Sequence, residues 1–173
     1  RPLRRLDTRL MHYLNAITND SADAMIILDE NERICSWNRG AEEIYGFTAE
    51  EMLGNRVEAL VPEERQLDGE LDHLRRLVAE EGYVRNYETS RMSTDGTIVP
   101  VELTRSAIHD DDGTPIGSSV VVRDITVRRD LEERLLHSER LAVVGRMAAQ
   151  VAHELQERRE KERQEGKRRK RKG

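Results

Sequence analysis

The chain has 173 residues and a mass of 20.0 kDa; 36% of its residues are hydrophobic, 36% are charged, and only six are aromatic. A charged fraction well above the roughly 25% of an average globular domain leaves one modest core and requires well-solvated helices. The sequence shows neither a signal peptide nor an apolar run of the roughly 20 residues that cross a bilayer. The single cysteine, Cys35, excludes a disulfide framework and a Cys-rich metal site. We therefore expect a soluble, cytoplasmic protein.

The net charge of -5 is distributed unevenly along the chain. Residues 156–173 carry ten Lys or Arg against four Glu, which leaves a charge of -11 on residues 1–155. An acidic body repels nucleic acid, and only the run from Lys167 to Lys172 offers a surface for phosphate. We interpret residues 156–173 as a solvated basic extension and expect no nucleic-acid partner; the alternative is a basic arm that binds nucleic acid.

The first segment, residues 1–20, has the apolar spacing of a helix. Its apolar residues recur at steps of three and four, at Leu3, Leu6, Leu10, Leu14 and Ile17. The polar cluster from Asn19 to Ser21 ends the segment. Because this stripe has no partner inside the segment, we predict an N-terminal coiled-coil helix.

Residues 21–126 contain five predicted strands. Two short strands come first, over Ala24 to Leu28 and Ile34 to Asn38. Three longer strands follow, over Tyr83 to Met92, Thr97 to Ile108 and Ile116 to Ile125. The turns between these three, Asp95-Gly96 and Asp111-Asp112-Gly113, are strong hairpin signals.

Helices are expected between the second and third strands. A helix is predicted over Arg39 to Tyr45, Thr48 and Glu51 form a capping box for a second one, and a longer helix opens at Pro62 and ends at Gly82. The helices are grouped and do not alternate with the strands. We therefore predict an α+β fold, with helices on one face of a five-stranded antiparallel sheet.

Residues 22–126 resemble a PAS sensor domain. The resemblance is carried by the stretches SADAMIILDENERICSWNRGAEEIYGFTAEEMLGNRVEALVP and DGTIVPVELTRSAIHDDDGTPIGSSVVVRDIT, which follow the order of the family. It implies a PAS fold in which the closing Asp124-Ile125-Thr126 joins the last strand to an outgoing signalling helix. In such domains the Asp124 side chain helps to fix that helix. An ordinary helix cap at Asp124 and Thr126 is the alternative, and the two roles are compatible.

Residues 127–155 have the spacing of a helix that pairs with another helix. Apolar residues follow steps of three and four at Leu141, Val144, Ala148, Val151 and Leu155. Leu131 and Leu135 lie on a different phase, since six residues in place of seven separate Leu135 from Leu141. This mismatch indicates a local change of supercoil. The apolar stripe from Leu141 to Leu155 and the N-terminal stripe both lack an internal partner, and together they predict a parallel homodimer through the flanking helices.

The stretch ERLAVVGRMAAQVAHEL, residues 139–155, resembles the dimerisation and phosphoacceptor helix of sensor histidine kinases. The resemblance implies that His153 is phosphorylated and that Glu154 accepts the imidazole proton or orients the ring. At about 100° per residue, with Val151 at zero, Leu155 lies near about 40° and His153 near about 200°, away from the apolar stripe. A neutral imidazole nitrogen is a nucleophile near neutral pH. The alternative is a solvated surface pair.

After Leu155 the sequence departs from the kinase family. Gln156-Glu157-Arg158-Arg159 stands where Arg or Asn, Asn, Pro and Leu are usual, and no Gly-rich phosphate loop occurs. The chain resembles an ATP-dependent protein-histidine kinase, but we do not expect the ATP-binding catalytic domain within these residues. That domain and a response regulator are the partners expected in the full system. We predict a signal-sensing and transmitting module; the alternatives are a PAS interaction module without catalysis and a sensor of haem or a small ligand.

The resemblance leaves the ligand of the PAS cavity open between haem, flavin, a small metabolite and none. A photoreactive flavin requires a Cys after the turn at residues 54–56, and none is present there. Cys35 is expected to be a buried thiol on an inner strand. His73 is the candidate haem ligand, although it lies one turn after Gly69, near which haem-binding PAS domains place theirs. No metal site is expected, and three histidines are expected to be solvated: His12, His109 and His137.

Overall fold

The computed structural model describes Tyr13 and residues 16–171, and for residues 164–171 it describes the backbone alone. The chain divides into two compact units, of which the first ends at Thr126 and the second begins at Val127. Residues 16–19 are helical. The remainder of the predicted N-terminal coiled-coil stripe, with His12, lies outside the described residues.

The first unit is built on a five-stranded antiparallel sheet, as predicted, with the strand order β2-β1-β5-β4-β3. Its strands are β1 (Ala24–Asp29), β2 (Ile34–Trp37), β3 (Tyr83–Met92), β4 (Ile98–His109) and β5 (Pro115–Asp124). The predicted hairpin between β3 and β4 is confirmed. Asp95 Oδ1 accepts a hydrogen bond of 2.9 Å from the Thr97 amide, and Gly96 takes a positive φ of 81° that favours glycine.

Apart from the helical residues 16–19, the helices of the described part of this unit follow β2 and precede β3. They are α1 (Arg39–Tyr45), α2 (Ala49–Met52), a 3-10 helix (Val57–Leu60), α3 (Glu63–Leu67) and α4 (Glu70–Glu81). The predicted capping box of α2 is confirmed, since Thr48 and Glu51 each accept a hydrogen bond from the backbone amide of the other.

The prediction of one long helix from Pro62 to Gly82 is wrong. The chain forms α3 and α4 with a break at Asp68 and Gly69. Gly69 has φ 71°, a left-handed conformation that interrupts a helix and that glycine adopts at little cost. The leucine spacing was continuous across a glycine, so the apolar pattern alone missed the break.

The prediction that Cys35 is a buried thiol on an inner strand is also wrong. β2 is an edge strand that pairs only with β1 in the sheet of the described residues, and Cys35 is exposed. The adjacent Ile34 is buried. Because successive side chains of a strand point to opposite faces, the thiol next to it lies on the solvent face.

The core lies between the sheet and the helices, and Asn38 joins the two layers at one end. This buried side chain caps α1 by accepting from the Ala41 amide, and it also accepts from the amide of Met25 in β1. Next to it, Gly40 packs so closely that an added Cβ would lie 2.3 Å from the Asp23 carbonyl oxygen. Packing of α1 onto β1 thus requires both the amide side chain of Asn38 and, two positions later, the absence of a side chain at Gly40.

The described residues of the second unit all belong to one helix, α5 (Thr126–Arg171), of 46 residues. It has no proline, and its described side chains, at residues 126–163, are all exposed. None of the helices in the described part of the chain combines the length and hydropathy needed to cross a membrane.

Candidate functional site

The junction at Asp124, Ile125 and Thr126 connects the last strand to the long helix. Asp124 Oδ1 accepts two hydrogen bonds from Thr126, from the amide at 2.8 Å and from the hydroxyl at 2.6 Å. Ile125 is buried, and its amide donates to the Pro100 carbonyl on β4 at 3.0 Å. The first residue of α5 is therefore held by a side chain of β5, while the residue between them is anchored in the core.

α5 carries a series of apolar side chains that are exposed in the single chain. More than half of the side-chain surface is accessible at the predicted seam positions Leu141, Val144, Val151 and Leu155. Upstream, the same holds for Val127, Leu131 and Leu135. A continuous helix with this many exposed apolar residues has a large unpartnered surface.

His153 lies on α5 with 74% of its side chain exposed. Its Nε2 is 3.5 Å from Glu157 Oε1, one turn further along the helix. The Glu154 carboxylate instead accepts from the Gln150 amide group at 3.4 Å. Successive residues of a helix do not face each other, which is why Glu157 and not the adjacent Glu154 contacts the imidazole.

Inside the first unit, two buried Arg–Glu pairs connect elements that are distant in sequence. Glu32, in the turn before β2, accepts from both terminal nitrogens of Arg105 on β4. Arg91 on β3 pairs with Glu70 at the start of α4. Removing one member of such a pair leaves an uncompensated buried charge, so both pairs fix the positions of their elements.

The pKa values of Tyr45 and Glu58 are strongly shifted by their surroundings. Burial raises the pKa of the Tyr45 phenol to about 12, although the nearby Arg91 opposes the shift, so the hydroxyl stays protonated at neutral pH. A hydrogen bond from Arg56 lowers the pKa of Glu58 to about 2. Neither group is poised to exchange a proton near neutral pH.

The interior space between sheet and helices does not fit haem. It is a cavity of about 30 Å³, about the share of one water molecule in the liquid, whereas sites for drug-sized ligands take about 300–1,000 Å³. His73 is exposed on α4, its ring 6.4 Å from that of Tyr87, and it is not among the residues that line the cavity. Among the described residues no group of three or more His, Cys, Asp or Glu could hold a metal ion.

Comparison with known proteins assigns the first unit to a family. The model of the PAS fold matches residues 12–125. This chain belongs to the PAS family. A solved PAS domain from Colwellia psychrerythraea has the same fold, with a TM-score of 0.62 at 23% identity over 68% of this chain and 98% of that one. A PAS domain from a two-component sensor histidine kinase gives 0.57 at 18% identity, over 68% and 98%.

Three curated relatives of this chain are named as kinases or sensors. The signal transduction histidine-protein kinase AtoS of Escherichia coli is 32% identical over 86% of this chain, and the sensor protein FixL of Bradyrhizobium diazoefficiens is 30% identical over 87%. Sporulation kinase E of Bacillus subtilis is 28% identical over 80%. The chain spans 23% of AtoS, 31% of FixL and 18% of sporulation kinase E.

Sequence reasoning missed the buried charges of the PAS domain. Glu32 stands in a polar turn, Asp29-Glu30-Asn31-Glu32, which predicts exposure, and its partner Arg105 is 73 residues away. Arg91 and Glu70 are 21 residues apart, on a strand and a helix. Alternation offered the one available signal, because Arg91 and Arg105 occupy inward positions of β3 and β4.

Proposed function

We propose that this chain senses a signal and transmits it within a two-component sensor histidine kinase. In this proposal the PAS domain controls a dimeric α5 that carries the phosphoacceptor His153. An ATP-binding kinase domain and a response regulator act on that histidine in the full system. The observation that carries the proposal is the exposure of His153 on a helix that starts at the Asp124–Thr126 junction.

The position of His153 relative to the exposed apolar residues supports this role. A phosphoacceptor has to reach a kinase domain and a response regulator in turn, so its side chain must stay outside any helix-pairing seam. By helical spacing His153 lies on the side of α5 opposite Val151 and Leu155. A second chain that covers this seam leaves the imidazole accessible to both partners.

The chemistry at His153 requires a neutral imidazole whose nitrogen attacks the γ-phosphorus of ATP, with ADP as the leaving group. The contact between Nε2 and Glu157 orients the ring in this helix. We assign Glu154 the role of orienting the ring or taking up its proton when the kinase domain is bound. The junction residues Asp124, Ile125 and Thr126 transmit the state of the PAS domain to α5.

A phosphotransfer assay tests the proposal. The chain is incubated with radiolabelled ATP and the separately supplied ATP-binding domain of a related sensor histidine kinase. We expect acid-labile label on the chain and its loss in His153→Gln. His137→Gln, which alters another exposed histidine of α5, is the matched control and keeps the label. Absence of label on a chain that still dimerises would instead favour the alternative, a PAS interaction module without catalysis.

A further inference from the structure

The small cavity of the PAS domain is apolar except at three side chains. Nine of the twelve lining residues are Ile, Leu or Val, and the others are Tyr45, Arg91 and Arg105. Few polar groups in an otherwise apolar cavity determine which class of ligand it accepts. Here both charged groups are guanidinium groups, and no carboxylate lines the cavity.

The two arginines differ in how firmly they are bound. Arg105 uses all three of its nitrogens: Nη1 and Nη2 donate to the Glu32 carboxylate, and Nε donates to Ser118 Oγ at 3.0 Å. This is the bidentate arrangement of a strong Arg–carboxylate pair. Arg105 is therefore fully engaged in the structure of the domain.

Arg91 is bound more loosely. Its hydrogen bonds to the described residues all start from Nη1, and the two to Glu70 are each 3.3 Å long. Charge-assisted hydrogen bonds of this kind are normally about 2.7–2.9 Å long. The side chains of both partners are nevertheless almost completely buried. The guanidinium group of Arg91 is thus a buried cation with a poorly placed counter-charge.

Glu70 lies at the start of α4, next to a position of the chain that borders open space. It is the first residue of α4 and follows Gly69, where an added Cβ would meet nothing within 4 Å. No side chain caps this end of α4, and the preceding α3 has no buried residue. Exchange of the Glu70 carboxylate requires this side chain, 3% exposed, to turn outward at the end of α4 that follows the open position of Gly69.

We propose that Arg91 binds a small monocarboxylate in place of the Glu70 carboxylate, with the short alkyl end of the ligand in the space that the Glu70 side chain leaves beside the apolar cavity. The proposal rests on the sensor function proposed above and names the class of its signal. Exchange of one carboxylate for another keeps the charge of Arg91 compensated, whereas a neutral or cationic ligand would leave it unpaired. Propionate matches the side chain of Glu70 beyond the Cα atom, so it fits the space that this side chain leaves.

Thermal unfolding of the full chain, followed by the fluorescence of Trp37, tests the proposal. Trp37 is the only tryptophan and lies in the PAS domain. Sodium propionate should raise the unfolding midpoint, while propionamide and sodium chloride at equal ionic strength should not. Glu70→Ala removes the competing carboxylate, and we expect it to bind propionate about tenfold more tightly than the natural chain.

Two arginine variants separate the site from general salt effects. Arg91→Gln should abolish the propionate response, and Arg39→Gln, at an exposed arginine paired with Glu43, should retain it. Equal responses of the natural chain to propionate and propionamide overturn the proposal, even if Glu70→Ala responds. Label on His153 without a propionate response refutes the carboxylate and leaves the sensor-kinase function standing. A propionate response without label on His153 supports carboxylate binding and refutes the phosphoacceptor role of His153.

Discussion

The PAS domain and α5 differ in where they place equally clear apolar patterns. In the domain, Leu28 and Leu103 are almost completely buried against residues of the same chain. In α5, Leu141 and Leu155 are more than half exposed. The domain thus buries its hydrophobic pattern within one chain, whereas α5 leaves an apolar pattern of helix-pairing spacing exposed in the single chain.

Their charged residues differ in the same way. The domain buries Glu32 and Arg105 as a pair that links the turn before β2 to β4. α5 keeps its charges at the surface, as in the exposed pair of Arg128 and Glu132 one turn apart. The buried charges of the domain therefore fix the positions of its elements, while the exposed charges of α5 contribute mainly to solvation.

The two units should differ most in the loss of unfolding free energy when one charge is removed from each. Glu32→Gln leaves Arg105 buried without a counter-charge and should lower the free energy of unfolding by about 3–5 kcal/mol. Glu132→Gln breaks an exposed pair and should change it by no more than about 0.5 kcal/mol. Urea unfolding followed by Trp37 fluorescence for the first variant, and by circular dichroism for the second, measures the two changes. Similar values for the two variants would show that the buried pair does not hold the domain together.

Truncation of a leucine in each unit gives the next largest contrast. Leu28→Ala removes buried methyl groups and opens a cavity, so the domain should lose about 2–5 kcal/mol of stability. Leu141→Ala should leave the Trp37 transition in place and weaken the association of chains. Urea titration and analytical ultracentrifugation distinguish these effects. A large loss of domain stability in Leu141→Ala would contradict the separation of the two units.

Replacing a glycine by alanine should lower the stability of the domain and raise that of α5. Gly40→Ala forces a Cβ against backbone atoms of Asp23 and Ser21, and such overpacking costs about 1–3 kcal/mol. Gly145→Ala, in α5, meets no neighbour within 4 Å and should favour the helix by about 1 kcal/mol. Thermal unfolding by fluorescence for the first and circular dichroism for the second provide the test. Destabilisation of α5 by Gly145→Ala would indicate a close helix contact at that position.

Local signals in the sequence predicted most of the fold. The capping box of Thr48 and Glu51 and the hairpin at Asp95-Gly96 depend on residues within a few positions of each other, and both are present. The exposure of Cys35 could not be predicted in this way. It follows from which face of β2 packs on the core, and the long-range pairing of the strand decides this.

The candidate sites also differ in whether their residues lie close together in sequence or on separate elements. Helical spacing was sufficient to predict that His153 lies away from the apolar positions of α5, because both belong to one helix. The pairing of Arg91 with Glu70 and of Arg105 with Glu32 depends on the packing of separate elements, and no periodicity reports it. Sequence patterns therefore located the candidate phosphoacceptor and missed the charged groups around the cavity.

We expect α5 to pair with a second copy through its exposed apolar residues, a claim that light scattering at micromolar concentration tests. The mass should be twice the 20.0 kDa of one chain. Charges on the seam, in Val144→Glu combined with Val151→Glu, should return the mass to that of one chain. Ala142→Glu, on the side of His153, should not. A natural chain with the mass of a monomer would contradict the claim.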